Sequence, residues 1–394
     1  MKKILLALLV IVSISVTTVF AGGESESATS TKNQEYNVGF IGPMTGDNAN
    51  YGILCNNSAK LAVDKFNAAG GINGTPVTLI TEDSEGNVEK ASSSIEKLAE
   101  SDDILALVGP VFTGPTFNVA DRCQYIGLPL ITPSATHADI TNIGDMIFRT
   151  VVSDGLQGEV AGHYFYEVLG YRNLAVLYAK NDYSQGLFQS MSATFESLGG
   201  KIVAAETCMV GDKDFKTQLT NIKAEGPDAI YIPNYTVEMA QILEQAAQLK
   251  VGAPFLSCDG FSNPDIYNLA GAYTDGVVYV GPAKVKESEA FNKFVAEYNA
   301  EYGVQPDSFA INAYDGANII LNAMKNAAAN GKVTRQAIRD GILATKNYDG
   351  VGGLINFAEN GDLIAYQGVY RVNGTTPEYL GSYKVIDGNL ELVE

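Results

Sequence analysis

LALVGPVFTGPTFNVADRCQYIGLPLITPSATHADIT, residues Leu105 to Thr141, decides the architecture. Two short apolar runs, Leu105–Val108 and Leu128–Ile131, each give way to a loop of Gly, Pro, Ser and Thr. Short apolar runs bounded by turn residues read as buried parallel strands. Each loop sits where a strand hands over to a helix, and in open α/β sheets ligands bind at the carboxyl ends of strands. Hydroxyls and backbone N–H groups gathered there suit a small anion such as a carboxylate.

The same alternation extends back toward the amino terminus. Tyr36–Ile41 reads as a strand, Gly42–Asn50 as a loop, and Tyr51 to Ala69 as a helix in which Ala59, Ala62, Val63 and Phe66 recur at helical spacing before Gly70-Gly71 ends it. Val77–Thr81 and Val88–Glu100 continue as strand and helix, and a further helix follows Gly114-Pro115. Four strands interleaved with three helices define a doubly wound parallel sheet, expected in the order 2-1-3-4.

Beyond it the pattern starts again. Helices are expected at Leu156–Leu169, Gly186–Leu198, Phe215–Ala224 and Glu238–Leu249, with strands at Leu174–Tyr178, Ile202–Thr207, Ala229–Ile232 and Phe255–Ser257. The opening strand of each half runs into a polar loop, a tyrosine and a helix: Asp47-Asn48-Ala49-Asn50-Tyr51 in one, Asn181-Asp182-Tyr183 in the other. After Gly276–Val280 come helices at Ser288–Tyr302, Phe309–Ala329 and Thr334–Ala344, then a tail from Leu363 to Val393 that alternates like antiparallel strands. These pieces cannot all pack on the second sheet. The chain is therefore expected to cross between lobes near Val151–Asp154, Gly281–Lys284 and Phe357–Gly361, giving a three-segment hinge. The boundaries are residues 35–152 plus 283–360 for lobe one, and 153–282 plus 361–394 for lobe two.

Met1-Lys2-Lys3, an apolar run from Ile4 to Val16 and Val19-Phe20-Ala21 describe a secretory signal peptide over residues 1–21. An uncleaved anchor is the rival reading, weakened by the serines and threonines from Ser13 onward. No cysteine lies near the cleavage site for lipid modification. Residues 22–34, GGESESATSTKNQ, read as a flexible polar leader. Removing 21 residues from 394 leaves 373, more than one core usually holds. The formal charge of −19 becomes about −21 once Lys2 and Lys3 are gone, which disfavours nucleic acid and anionic membrane surfaces. Cys55, Cys123, Cys208 and Cys258 allow two disulfides. The sheet order puts the first two on opposite faces and the last two at the ends of non-neighbouring strands, so free, buried thiols are expected.

Catalytic signatures are lacking. The only histidines, His137 and His163, form no H-E-x-x-H pair, and His163 reads as structural. Ser134 has no G-x-S-x-G elbow around it. Gly109–Thr116 has the glycine spacing of a phosphate loop but carries Pro115 where lysine is needed, and no strand is followed by G-x-G-x-x-G. Neither a cofactor nor a metal is implied. What remains is polar residues at strand ends: Thr113, Ser134 and Thr136 in the first half, and Tyr183, Tyr235 and Asp259 in the second. Singly these read as turn and cap residues. Together, hydroxyls facing a carboxylate across a cleft are what a zwitterion needs.

The chain resembles the amino-acid-binding receptors of ABC importers, the Leu/Ile/Val-binding protein group with the periplasmic binding protein type I fold. The resemblance runs from Tyr36 to about Val372. It is carried by Val38-Gly39-Phe40-Ile41-Gly42-Pro43-Met44-Thr45-Gly46, by Leu61-Ala62-Val63-Asp64 leading to Asn67-Ala68-Ala69-Gly70-Gly71-Ile72, and by Ile131-Thr132-Pro133-Ser134-Ala135-Thr136. Asp214-Phe215, Pro227-Asp228-Ala229-Ile230 and Tyr314-Asp315-Gly316 add to it. It implies that Thr113, Ser134, the Ala135 backbone and Thr136 hold a ligand α-carboxylate, and that Asp259 holds the α-ammonium. Tyr51, Tyr183, Tyr235 and Phe309 would close over the ligand, and Phe112 would line its side-chain pocket. Asp259 is a methylene shorter than the glutamate of the Leu/Ile/Val binders, which leaves the ligand's identity open.

The expected function is thus that of a periplasmic solute-binding subunit, a monomer without enzymatic activity. It would take an aliphatic or branched-chain amino acid and present it to a membrane permease, with no nucleic acid partner and no membrane insertion after signal cleavage. An enzyme on the same framework, a ligand-sensing domain, and an amide or urea binder of the same receptor group are the alternatives. One methylene is worth only about 1–3 kcal/mol in an apolar pocket, so Leu, Ile, Val and Ala are not separated by sequence.

Overall fold

The computed structural model describes residues 35–101 and 103–393; the expected signal peptide and polar leader lie outside these. The first sheet is built from β1 (Tyr36–Gly42), β2 (Val77–Asp83), β3 (Ile104–Val108), β4 (Leu130–Thr132) and β5 (Ile147–Arg149), interleaved with α1 (Ala49–Ala68), α2 (Val88–Ala99) and α3 (Thr113–Ile126). Its order is β2-β1-β3-β4-β5, all parallel. β1 and β3 are buried along their whole length, because both faces of a parallel sheet are covered. Along β3, Ala106 and Val108 join one core while Leu107 joins the other, the two-residue period of a strand, which an irregularity in the pairing with β1 breaks at Leu105. In α2, Ala91, Ser94, Ile95 and Leu98 form the buried stripe, and Asn87 caps the helix by accepting from Lys90 N–H.

The chain then passes to α4 (Asp154–His163), β6 (Asn173–Ala179), α5 (Asp182–Ser197), β7 (Lys201–Cys208), α6 (Lys216–Glu225), β8 (Ala229–Tyr231), α7 (Thr236–Gln248), β9 (Phe255–Ser257), α8 (Asp265–Ala270) and β10 (Val278–Pro282). It returns to the first sheet with α9 (Glu289–Tyr302), α10 (Ser308–Ala329) and α11 (Arg335–Leu343), and then forms the hairpin β11 (Tyr348–Gly350) and β12 (Gly353–Ile355). Finally β13 (Gln367–Asn373), β14 (Thr376–Ile386) and β15 (Asn389–Leu392) extend the second sheet antiparallel to β10. That sheet runs β15-β14-β13-β10-β9-β8-β6-β7. Ala175, Leu177 and Ile230 face α6 and α7, and Leu174, Val176 and Ala229 face α4 and α5. The result is two doubly wound α/β halves, between which the chain passes three times.

Several expectations need correction. β5 and the hairpin β11–β12 have no counterpart among the expected strands, because β5 ends in Arg149 and the hairpin opens with Tyr348-Asp349-Gly350, so neither is an apolar run closed by a turn. α3 starts at Thr113, ahead of Gly114-Pro115, since a proline in the first turn forfeits no helical hydrogen bond. α5 starts at Asp182, four residues before Gly186, because Asn181 accepts from Ser184 N–H at 2.8 Å. α4 starts at Asp154, where Ser153 caps it, and ends at His163, after which a π-turn over Tyr164–Val168 takes the place of the expected helix to Leu169. His163 is buried and lies 3.0 Å from Glu167 Oε1. All four cysteines are free and buried; Cys55 and Cys123 belong to cores on opposite faces of the first sheet.

Candidate functional site

Two loops of the first sheet are tied together by one buried hydroxyl. Thr132 Oγ1 donates to Pro110 O at 2.6 Å and accepts the Ala135 N–H at 3.0 Å. This brings the β3–α3 loop beside the β4 loop, and so Thr113 beside Ser134 on one cavity wall. Phe112 stands at the N-cap of α3 without a side-chain cap, leaving the helix's first N–H groups without a side-chain acceptor next to Thr113. Such a helix start favours an anion.

The opposite wall comes from the second sheet. Asp259 follows β9 and is 4% exposed. Its Oδ1 accepts from Tyr183 Oη at 2.7 Å and Gln157 Nε2 at 3.1 Å, while Gln157 Oε1 accepts the Asp259 N–H at 2.7 Å. Burial pushes the Asp259 carboxyl above its usual range, and these donors work against that rise. Tyr183 Oη also accepts the Gly260 N–H at 3.1 Å, which fixes the backbone around the carboxylate.

Aromatic rings from both halves enclose the space between. Tyr235 stacks on Tyr183 at 5.0 Å between centroids, and Phe112 lies 4.5 Å from Tyr235. Tyr51 meets Phe112 at 5.6 Å and Phe309 at 5.6 Å. Its hydroxyl crosses to the second half, 2.7 Å from Thr236 Oγ1, and donates to Gly260 O at 3.2 Å. Burial raises the Tyr51, Tyr183 and Tyr235 hydroxyls well above their ordinary range, so all three stay neutral. The space between the walls, counted with the solvent it opens to, is about 230 Å³, and among the described residues no Lys, Arg or His lines it.

Eight of the ten expected site residues line the cavity: Tyr51, Phe112, Thr113, Ser134, Tyr183, Tyr235, Asp259 and Phe309. Ala135 and Thr136 are buried next to Ser134 without forming part of the wall, and the Ala135 N–H is engaged by Thr132. Val111 and Gly260 also line the cavity, and Gln157 and Thr236 support it from behind. Gln157 carried no local signal, since its partner lies 102 residues away.

Two α/β halves with a polar, aromatic-lined cavity between them define a solute-binding receptor. The chain belongs to the periplasmic binding protein family, whose model matches residues 35–376. Among curated relatives, the leucine-, isoleucine-, valine-, threonine- and alanine-binding protein of Pseudomonas aeruginosa is 29% identical over 328 residues, 83% of this chain and 86% of that protein. Among solved structures, the branched-chain amino acid transporter substrate binding protein LivJ from Streptococcus pneumoniae, in complex with isoleucine, is 29% identical. Its TM-score is 0.80, with 91% of this chain and 99% of that chain covered. A solute binding protein of an R. palustris ABC transporter, in complex with benzoate, shares the fold at 20% identity and TM-score 0.79 over 88% of this chain and 96% of that one. The family is one of binding proteins, not of enzymes.

Proposed function

We propose that the protein is the periplasmic solute-binding subunit of an ABC importer and binds an aliphatic amino acid between its two halves. The observation that carries this is the buried Asp259 carboxylate facing Thr113 and Ser134 through an aromatic cavity without a basic residue. A buried charge left unpaired costs several kcal/mol. Asp259 therefore calls for a ligand cation, and the hydroxyls with the α3 amino terminus call for a ligand carboxylate. A simple carboxylate such as benzoate brings no partner for Asp259. In this reading Thr113 and Ser134 take the carboxylate, Asp259 takes the ammonium, and Phe112, Tyr51, Tyr183, Tyr235 and Phe309 surround the side chain. The expected direct contacts from the Ala135 backbone and Thr136 drop out, because the Ala135 N–H is bonded to Thr132 and neither residue is in the wall.

Splitting the two charged contacts between halves makes ligand affinity greater for the closed arrangement, and occupancy shifts the equilibrium toward it. Residues 35–152 with 283–360 form one lobe in this reading, residues 153–282 with 361–394 the other, and the three connections are the hinge. A membrane permease reads the closed rim of a monomer. The test is a thermal-shift screen of the secreted protein against the twenty amino acids, urea, short amides and benzoate. Stabilisation by one or more aliphatic amino acids is expected; stabilisation by benzoate or amides alone would overturn the assignment.

A further inference from the structure

The helix that grips Asp259 through Gln157 carries a second buried acid that the binding scheme does not use. Asp154 opens α4 and is 1% exposed, and neither of its carboxylate oxygens has a hydrogen-bond partner. The buried Thr136 hydroxyl stands close enough to pull on this carboxylate without completing a hydrogen bond among the described residues, and the Asp154 N–H donates to Thr136 O at 2.7 Å. The carboxylate packs toward α5, where a Cβ on Gly186 would stand 3.6 Å from Asp154 Oδ2 and meet the His137 ring on its other side. Arg149 is the nearby cation, but its guanidinium is spent on Asp362 Oδ1 at 2.7 Å and on the carbonyls of Thr136 and His137. The remaining titratable neighbours are Asp259, the His137 imidazole, which burial holds below its usual range and so keeps from offering a cation, and the buried, neutral Tyr183, Tyr231, Tyr235 and Cys258.

Two buried carboxylates tied to one helix start, Asp154 as its first residue and Asp259 through Gln157 one turn on, do not both ionise without a dedicated cation. Burial and the Asp259 charge drive the Asp154 carboxyl well above its usual range, against weaker pulls from Thr136 and Arg149. We propose that Asp154 and Asp259 share one proton while the site is empty and give it up to solvent when a ligand ammonium arrives, so that binding is linked to proton release. This rests on the amino-acid reading above for the identity of the incoming cation. Asp154 is a positioning residue: it does not line the cavity and acts on the ligand through Asp259. The charge balance is simple. One negative charge on the pair becomes two, the ammonium compensates the second, and the displaced proton passes to buffer.

Calorimetry of leucine binding to the whole secreted protein, in buffers of different ionisation enthalpy at neutral pH, counts that proton directly. Wild type is expected to release up to one proton per ligand and to bind about tenfold tighter for each pH unit gained below the pair's titration point. Asp154→Asn is expected to bind with no proton release and a flat pH profile. Leucine binding by wild type without proton release, or the same release from Asp154→Asn, overturns the proposal while leaving the amino-acid assignment intact. Should no amino acid bind, that assignment fails and the empty protein decides: the infrared band of a protonated carboxyl is expected in wild type at pH 7 and lost in Asp154→Asn. Its absence from wild type refutes the shared proton.

Discussion

Replacing Asp259 by asparagine removes one charge and almost no volume. Asparagine Oδ1 can keep both donors that hold the native oxygen, Tyr183 Oη at 2.7 Å and Gln157 Nε2 at 3.1 Å, so the cavity keeps its shape. What disappears is the partner of the ligand ammonium. Removing one member of a buried ion pair costs about 3–5 kcal/mol, and every 1.4 kcal/mol is tenfold in affinity. Asp259→Asn should therefore weaken amino-acid binding by roughly a hundredfold to a few thousandfold. The empty protein should be no less stable, because a buried charge near Asp154 has been taken away. Calorimetry gives the first quantity and thermal unfolding of the ligand-free variant the second. Affinity within about threefold of wild type, in a variant that unfolds normally, would refute the ammonium site.

Other predictions follow from the same geometry. Thr113→Val with Ser134→Ala removes two hydroxyls facing the ligand carboxylate; at about 1.5–3 kcal/mol for a hydrogen bond to a charged group, calorimetry should show a loss of at least a hundredfold with the fold retained. Tyr51→Phe deletes the cross-cleft bonds to Thr236 and Gly260, worth about 0.5–1.5 kcal/mol each, and should weaken binding by about five- to 150-fold through a faster off-rate in stopped-flow fluorescence. Asp307 caps α10 through Oδ1 while Oδ2 is buried without a partner, and burial pushes its carboxyl up to about 6. A raised folded-state value means stability present below the unfolded value of about 4 and lost as pH rises through about 6. Asp307→Asn keeps a capping oxygen, so its melting temperature should match wild type near pH 4 and exceed it at pH 7.

The parallel strands were legible because β3 is a continuous apolar run and both β1 and β3 end at glycine and proline, whereas the starts of α4 and α5, set by the caps Ser153 and Asn181, lay ahead of where the apolar pattern placed them. The cavity wall was legible for a related reason: Thr113, Ser134, Tyr183, Tyr235 and Asp259 all follow strand ends in chain order. What escaped was whatever depends on distant partners. Thr132 looks like any strand threonine until its hydroxyl is seen bridging two loops. Gln157 and Asp154 look like ordinary first-turn residues of a helix, yet one grips Asp259 and the other is a partnerless acid. β5 ends in Arg149 and β11 holds Asp349, so neither displays a continuous apolar run, and β5 is placed by its pairing with β4 across the intervening loop.

The most direct test uses three ligands and one calorimeter. Leucine carries both charged groups, 4-methylpentanoate lacks the ammonium, and 3-methylbutylamine lacks the carboxylate, while the alkyl chain is common to all. If each side of the cleft holds its own charge, both truncated molecules bind at least about a hundredfold more weakly than leucine. If either binds within about tenfold of leucine, the two-sided grip on a zwitterion is contradicted.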